Sequence, residues 1–214
     1  MIPQNNFSTG SGQRSGKVKI GVLALQGDFK EHIEILSRLG VEGVPIRLPK
    51  DLEDIAGVII PGGESTTISS LLAEYGLLRP LREMIDAGLP AMGTCAGMIV
   101  MAKFAAGLDF DSLKVMDIEV RRNAFGRQVD SFETDLDVPV LGDGGPVHAV
   151  FIRAPFIEAV SPGVEVLATL PDGRVVAALE KNMLVLAFHP ELTEDLRFHK
   201  LFLDIVDKYN SAEG

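Results

Sequence analysis

The sequence predicts an α/β fold: a mostly parallel central sheet with helices on both faces, and an antiparallel extension in the second half. Three observations carry this. Short apolar strand patterns alternate with helical ones through the first half of the chain, which calls for parallel strands joined by crossover helices. The first strand is almost continuously apolar, as in a sheet covered on both faces. From residue 114 the helical periodicity fades, and turn signals dominate until residue 193.

The elements follow in order. KVKIGVLAL (17–25) is β-branched and apolar and reads as a buried strand. In QGDFKEHIEILSRLG, Asp28 and Glu31 have capping-box spacing. Phe29, Ile33, Leu36 and Leu39 then recur at helical spacing, and Gly40 stops the helix. A second strand fits VPIRL (44–48). A third fits AGVIIP (56–61), ending at Pro61-Gly62-Gly63. STTISSLLAEYG is a helix with Ile68, Leu71, Leu72 and Tyr75 on one face and Gly76 as its stop. LLRPLREMIDAG is another, with Pro80 in its first turn and Gly88 past its end. The short strand PAMGT leads into a helix over AGMIVMAKFAAG.

In the second half, segments near 114–121, 128–134, 147–153, 164–170, 174–180 and 183–188 read as strands. Pro171-Asp172-Gly173 and Lys181-Asn182 mark hairpin turns. TEDLRFHKLFLDIVDKY reads as a closing helix with acidic residues in its first turn.

At about 150 residues per domain, 214 residues suit one large domain or two small ones. With no repeat and no linker between the halves, residues 17–214 read as a single domain. Residues 1–16, rich in Ser, Gly, Asn and Gln, bury too little apolar surface to fold and read as a flexible leader. They lack the apolar centre of a secretory signal.

The formal net charge is −10, from 20 basic and 30 acidic side chains. That excludes a general nucleic-acid binder, which needs concentrated positive charge. No apolar run is long enough to span a membrane. One cysteine permits no internal disulfide and no multi-cysteine zinc site. A reducing cytoplasm is the expected compartment.

Gly93-Thr94-Cys95-Ala96-Gly97 lies between a short strand and a helical pattern. G-x-C-x-G is the cysteine form of a nucleophile elbow. Glycines flank a turn too tight for a Cβ. The turn lifts the thiol out at the sheet edge, where the next helix's N–H groups favour a thiolate. A lone free cysteine is also often a buried structural residue, and the pentapeptide alone leaves both readings open.

A cysteine nucleophile needs a base, and the base an orienting acid. His189 ends the apolar strand MLVLAF and is followed by Pro190 and Glu191. Residues i and i+2 of an extended segment face the same side, so Glu191 is placed to reach the imidazole. The rival reading of His189 is a strand-end histidine bonded to backbone. His32, beside Glu31 and Glu34, reads as solvated. His148 lies near a Gly/Pro turn and His199 on the last helix. The four histidines show no metal-ligand spacing, so no metal and no cofactor are expected.

Pro61-Gly62-Gly63-Glu64-Ser65-Thr66 follows a buried strand and opens a helix. It lacks the lysine of a P-loop and the G-x-G-x-x-G of a dinucleotide site. A plain turn is the simple reading. Beside Cys95 it offers one arm of an oxyanion hole, with the Ala96 N–H as the other.

Together these elements resemble the class I, or triad, glutamine amidotransferases, which have a flavodoxin-like, three-layer sheet. The likeness is closer to one branch, the glutaminase subunit of the two-protein pyridoxal 5′-phosphate synthase. LALQG (23–27), PGGEST (61–66), GTCAGM (93–98), RNAFGRQVDSF (122–132), FIRAP (151–155) and HPELTED (189–195) carry it. It runs from about Lys19 to Tyr209. The leader and a longer loop around 142–146 depart from the pattern.

The resemblance implies that Cys95 attacks the side-chain amide of L-glutamine, that His189 moves the proton and that Glu191 orients His189. It implies an oxyanion hole at Gly63 and Ala96, and a substrate site of Gly63, Glu64, Ser65, Arg122, Ile152 and Arg153. It implies ammonia transfer to a synthase subunit and weak glutaminase activity until that subunit docks; a Gly62-Gly63 peptide that turns into place on docking, aided by Gln26, would account for the gating. Two rival expectations are a class I glutaminase serving histidine or purine synthesis, and a non-catalytic binding protein on the same scaffold.

Overall fold

The computed structural model describes residues 18–106, 111–122 and 131–212. The leader (1–16) and residues 123–130 of the RNAFGRQVDSF segment lie outside the described residues. The first half runs β1 (Lys19–Leu23), α1 (Phe29–Arg38), β2 (Glu42–Ile46), β3 (Gly57–Ile60), α2 (Ser65–Glu74), α3 (Leu78–Asp86), β4 (Ala91–Thr94), α4 (Ala96–Met101) and β5 (Ala102–Ala105). The second half runs β6 (Met116–Arg121), β7 (Ser131–Leu136), β8 (Val147–Ile152), β9 (Phe156–Val160), β10 (Glu165–Thr169), β11 (Val175–Glu180), β12 (Met183–Leu186) and α5 (Arg197–Ala212).

Among the described residues the main sheet has the order β2-β1-β3-β4-β12-β11-β9-β6-β5, with β10 added beside β11. The β2–β1–β3–β4–β12 stretch is parallel throughout. From β12 onward pairing turns antiparallel through β11, β9 and β6, and β5–β6 is parallel again. β7 and β8 form a separate antiparallel pair. This is the expected mostly parallel sheet with its antiparallel extension.

The layers follow from the two-residue alternation of strands. On β3, a Cβ at Gly57 would meet Val206 and Phe202 of α5, whereas Ile60 lies against Gly97 of α4. On β4, Gly93 faces Met101 of α4, and Thr94 faces His32 of α1. So α1 and α5 cover one face and α4 the other. The parallel strands β3, β4 and β12 are buried along their whole length, which explains their unbroken apolar sequence.

Several expectations change in detail. The second strand starts at Glu42 rather than 44 and ends at Ile46. It is an edge strand, where Pro45 costs no ladder bond. The helix after Cys95 stops at Met101, and Ala102–Ala105 turns into a strand beside β6. The carbonyls of Val100 and Met101 accept from the N–H groups of Leu113 and Val115, so tertiary pairing overrides the helical pattern. β9 escaped the sequence reading because its burial does not alternate. α5 begins at Arg197, so Glu194 and Asp195 precede it, and Asp195 accepts the Arg197 N–H at 2.9 Å. Asp28 sits at the N-cap of α1 but makes no side-chain cap bond.

A chain of rings braces the segment that carries His189. Phe132 stacks on Phe151 at 4.5 Å, Phe151 meets Phe188 at 5.5 Å, and Phe188 meets Phe198 of α5 edge-on at 5.3 Å. Phe188 is fully buried. Phe188→Ala is expected to cost about 3–5 kcal/mol of folding stability, read as a lower urea midpoint.

Candidate active site

Cys95 occupies the N-cap of α4 with φ +48° and ψ −105°, a strained conformation for a residue with a Cβ. Its neighbours show why the turn is so tight. A Cβ at Gly97 would stand 1.9 Å from the Ile60 carbonyl oxygen, and one at Gly93 2.8 Å from the Gly97 carbonyl carbon. The Cys95 N–H donates to the Leu186 carbonyl at 2.8 Å, tying the elbow to β12. The thiol points toward the Ile152 carbonyl oxygen, 3.7 Å away. The residue is 6% exposed, which leaves it at the floor of a cleft rather than sealed in the core.

β12 delivers His189 to the same place. The His189 N–H donates to the Val150 carbonyl at 2.9 Å, and Pro190–Leu192 forms a single 3-10 turn. The i, i+2 meeting of His189 and Glu191 is therefore made by a turn, not by an extended strand. Nδ1 of His189 lies 2.7 Å from Glu191 Oε1. That leaves Nε2 as the ring nitrogen not engaged by Glu191, with Cys95 close enough to act on the imidazole. Burial alone lowers the imidazole pKa. Hydrogen bonding to Cys95 and then to Glu191, with their charges, outweighs it and raises the value to about 10. Glu191 is pushed above the usual carboxylate range by burial, partly countered by its bond to His189.

The cleft of about 320 Å³ above this group is lined by Gln26, Gly63, Glu64, Ser65, Cys95, Ala96, Ile99, Arg122, Ile152 and Arg153. It gathers all six residues that the resemblance implied for substrate, together with Ile99, which sequence reasoning missed. Glu64 caps α2, accepting from the N–H groups of Thr67 at 2.7 Å and Thr66 at 3.2 Å, and it pairs with Arg122 at 3.2 Å. Burial acts to raise its pKa, but these N–H bonds and the Thr67 hydroxyl hold it below the usual range.

The Gly62-Gly63 turn is crowded. A Cβ at Gly62 would lie 2.4 Å from His189 Cε1. One at Gly63, whose φ is +148°, would lie 2.4 Å from Gln26 Oε1. Gln26 Oε1 accepts the Glu64 N–H at 2.7 Å, and the Gly62 carbonyl accepts the Asp28 N–H at 3.3 Å.

One histidine contradicts its expected surroundings. His32 is fully buried, not solvated, and lies 3.4 Å from Glu191 Oε2. His199 is buried beside it, with 2.9 Å between His32 Nδ1 and His199 Nε2. The signal was present: His32, Ile35 and Leu36 share one helical stripe, as do Phe198, His199 and Phe202. His148 lies between Glu133 and Asp135 on the separate strand pair. Asp28, His189 and Glu191 bring three donor atoms within 4.8 Å of one another, the one such grouping among the described residues. His189 Nδ1 is already committed to Glu191 there, so the group makes no case for a metal.

The sheet, with a cysteine elbow at its C-terminal edge and a histidine–glutamate pair beside it, has the arrangement of a cysteine-triad hydrolase. A solved structure described as a glutamine amidotransferase superimposes with a TM-score of 0.83 at 48% identity, covering 88% of this chain and 98% of that one. The chain belongs to the SNO glutamine amidotransferase family, which it matches over residues 22–208. Similar relatives include the pyridoxal 5′-phosphate synthase subunit PdxT of Moorella thermoacetica, 56% identical over 88% of this chain and 100% of the relative. The PdxT subunit of Carboxydothermus hydrogenoformans is 57% identical over 89% and 99%. A putative GMP synthase subunit from Thermoplasma acidophilum shares the fold, with a TM-score of 0.66 at 17% identity.

Proposed function

We propose that this protein hydrolyses L-glutamine to glutamate and ammonia, and that the ammonia passes to a synthase subunit that makes pyridoxal 5′-phosphate. The observation that carries this is the Cys95–His189–Glu191 group at the floor of a cleft whose walls hold Arg122, Arg153 and Glu64, in a chain more than half identical to PdxT relatives over nearly their whole length.

The chemistry follows from the geometry. His189 takes the thiol proton and, with its pKa raised to about 10, holds it as an imidazolium until the leaving nitrogen receives it. The sulfur attacks the side-chain amide carbon, and the oxyanion is met by the N–H groups of Gly63 and Ala96. The proton passes from His189 to the leaving nitrogen, ammonia departs, and a γ-glutamyl thioester remains for water to open. Glu191 holds the imidazole by its Nδ1–H throughout. An arginine of the cleft pairs with the substrate carboxylate through its paired donors, and Glu64 meets the α-ammonium.

Gln26 presses on Gly63 and holds the Glu64 N–H, so it is placed to set the orientation of the Gly62-Gly63 peptide when the synthase subunit docks. No helix among the described residues is long and apolar enough to cross a membrane. A free nucleophilic thiol is best kept reduced, and we place the protein in the cytoplasm.

Ammonia release from glutamine, measured alone and across a titration with the synthase subunit, tests the whole reading. Glutamate and ammonia should form in equal amounts, and the rate should rise to a plateau as the subunit is added. No hydrolysis at any ratio overturns the activity; a rate indifferent to the subunit overturns the gating.

A further inference from the structure

The polar chain that starts at Cys95 does not stop at Glu191. Oε1 of Glu191 is taken by His189, but the buried Oε2 has no hydrogen bond of good geometry. His32 Nε2, on α1, stands 3.4 Å from it and 3.3 Å from Thr94 Oγ1. Behind His32, its Nδ1 meets His199 Nε2 of α5 at 2.9 Å, and His199 Nδ1 has no partner. Three helix and strand elements thus each send one buried polar side chain to the back of the candidate catalytic carboxylate. A buried polar cluster of this kind calls for a reason.

Both rings are neutral. Burial, then the neighbouring His199 and His189, hold His32 well below the usual histidine range, and burial holds His199 down to about 4. Each neutral ring carries one N–H, so the 2.9 Å contact allows two arrangements.

In the first, His199 Nε2–H donates to His32 Nδ1. His32 Nε2–H then faces Glu191 Oε2 and Thr94 Oγ1, and the bare Nδ1 of His199 is the one unsatisfied atom. In the second, His32 Nδ1–H donates to His199 and the Thr94 hydroxyl donates to His32 Nε2. A lone pair then faces the Glu191 carboxylate, and His199 Nδ1 keeps a buried proton with no acceptor. The first wins, because it points a donor at the anion and leaves no N–H orphaned.

We propose that His32 is a positioning residue for glutamine hydrolysis: its Nε2–H, with the tautomer fixed by His199, keeps Glu191 charged and aimed at His189. This deepens the proposed function and rests on that reading. The titratable groups facing Glu191 are His189 on its own segment and Asp28 and His32 on α1. His199 on α5 acts through His32, and Cys95 at the start of α4 acts through His189. Asp28 raises the Glu191 pKa, as burial does. His32 opposes that tendency.

The test compares His32→Leu, His32→Gln and His199→Leu in the full chain, with the synthase subunit present, by kcat and KM across pH. His32→Leu should lower kcat by about 10-fold to 100-fold, the scale of withdrawing an N–H from a buried charge, with KM within about 2-fold. Its acid limb of kcat should move up by about 1 pH unit as Glu191 holds its proton more tightly. His32→Gln, whose side-chain N–H₂ reaches the same place, should recover part of both effects. His199→Leu should shift the limb in the same direction by less.

A fall in melting temperature with an unmoved acid limb, or a glutamine variant no better than leucine, overturns the proposal. So does a ¹⁵N-imidazole spectrum of the unmodified protein showing His32 as its Nδ1–H tautomer. That spectrum needs neither folded variants nor activity. Absent glutamine hydrolysis in the unmodified complex, by contrast, strikes the proposed function and not the tautomer.

Discussion

Changing Cys95 to alanine removes glutamine hydrolysis and leaves the fold standing. The expected loss is about 10⁶-fold, the scale on which removing the nucleophile of a comparable triad acts. Two features make the result clean. Alanine keeps a Cβ, so the φ of +48° at the elbow is no more strained than with cysteine. The sulfur is also a minor packing element: it reaches the Ile152 carbonyl only at 3.7 Å, and a cavity of one atom costs about 1 kcal/mol. Ammonia release and a thermal melt on the same sample check both halves. Retained hydrolysis removes Cys95 as nucleophile, and a collapsed melt returns it to the ranks of structural cysteines. Iodoacetamide should likewise label this thiol faster at neutral pH in the folded chain than after denaturation, since proximity to His189 activates it.

The sequence reading reached the fold because its strongest signals are local. Apolar runs such as GVII need no partner to be recognised, and glycines at 93 and 97 announce an elbow whose steric reason is backbone contact within a few ångströms. Ala102–Ala105 was hidden because helix and strand patterns differ little over a few residues. What settled it was pairing with β6, a long-range event. In the same way His189 and Glu191 were legible as near neighbours in sequence, while Thr94, His32 and His199 were not. Those three meet only because α1 and α5 cover the same sheet face. His32 stood on the buried stripe with Ile35 and Leu36, but its acidic neighbours Glu31 and Glu34 drew the eye to the wrong side of the helix. Residues on a helix stripe should therefore be judged by their i+3 and i+4 companions, not by adjacent charges.

His189→Asn and Glu191→Gln should each slow turnover by about 10²- to 10⁴-fold, the cost of losing a general base or the group that orients it. They differ in how the loss depends on pH. Asparagine has no group that takes up a proton, so its residual rate should show no titration from this site. Glutamine at 191 keeps the shape but removes the charge that, with Cys95, raises the His189 pKa to about 10. Above that pH the pair has no proton to give the leaving nitrogen, so the basic limb of kcat/KM belongs there in the unmodified protein. In Glu191→Gln the limb should fall toward neutrality. Stability follows the same sign. The folded pKa lies above the free value of 6.5, so this contribution is complete below pH 6.5 and lost as pH rises through about 10. The melting temperature of the unmodified protein should therefore drop across that window more than that of Glu191→Gln. Turnover and pH limb both unchanged in Glu191→Gln would place the orienting acid elsewhere, with Asp28, 3.5 Å from His189 Nδ1, the next carboxylate to change.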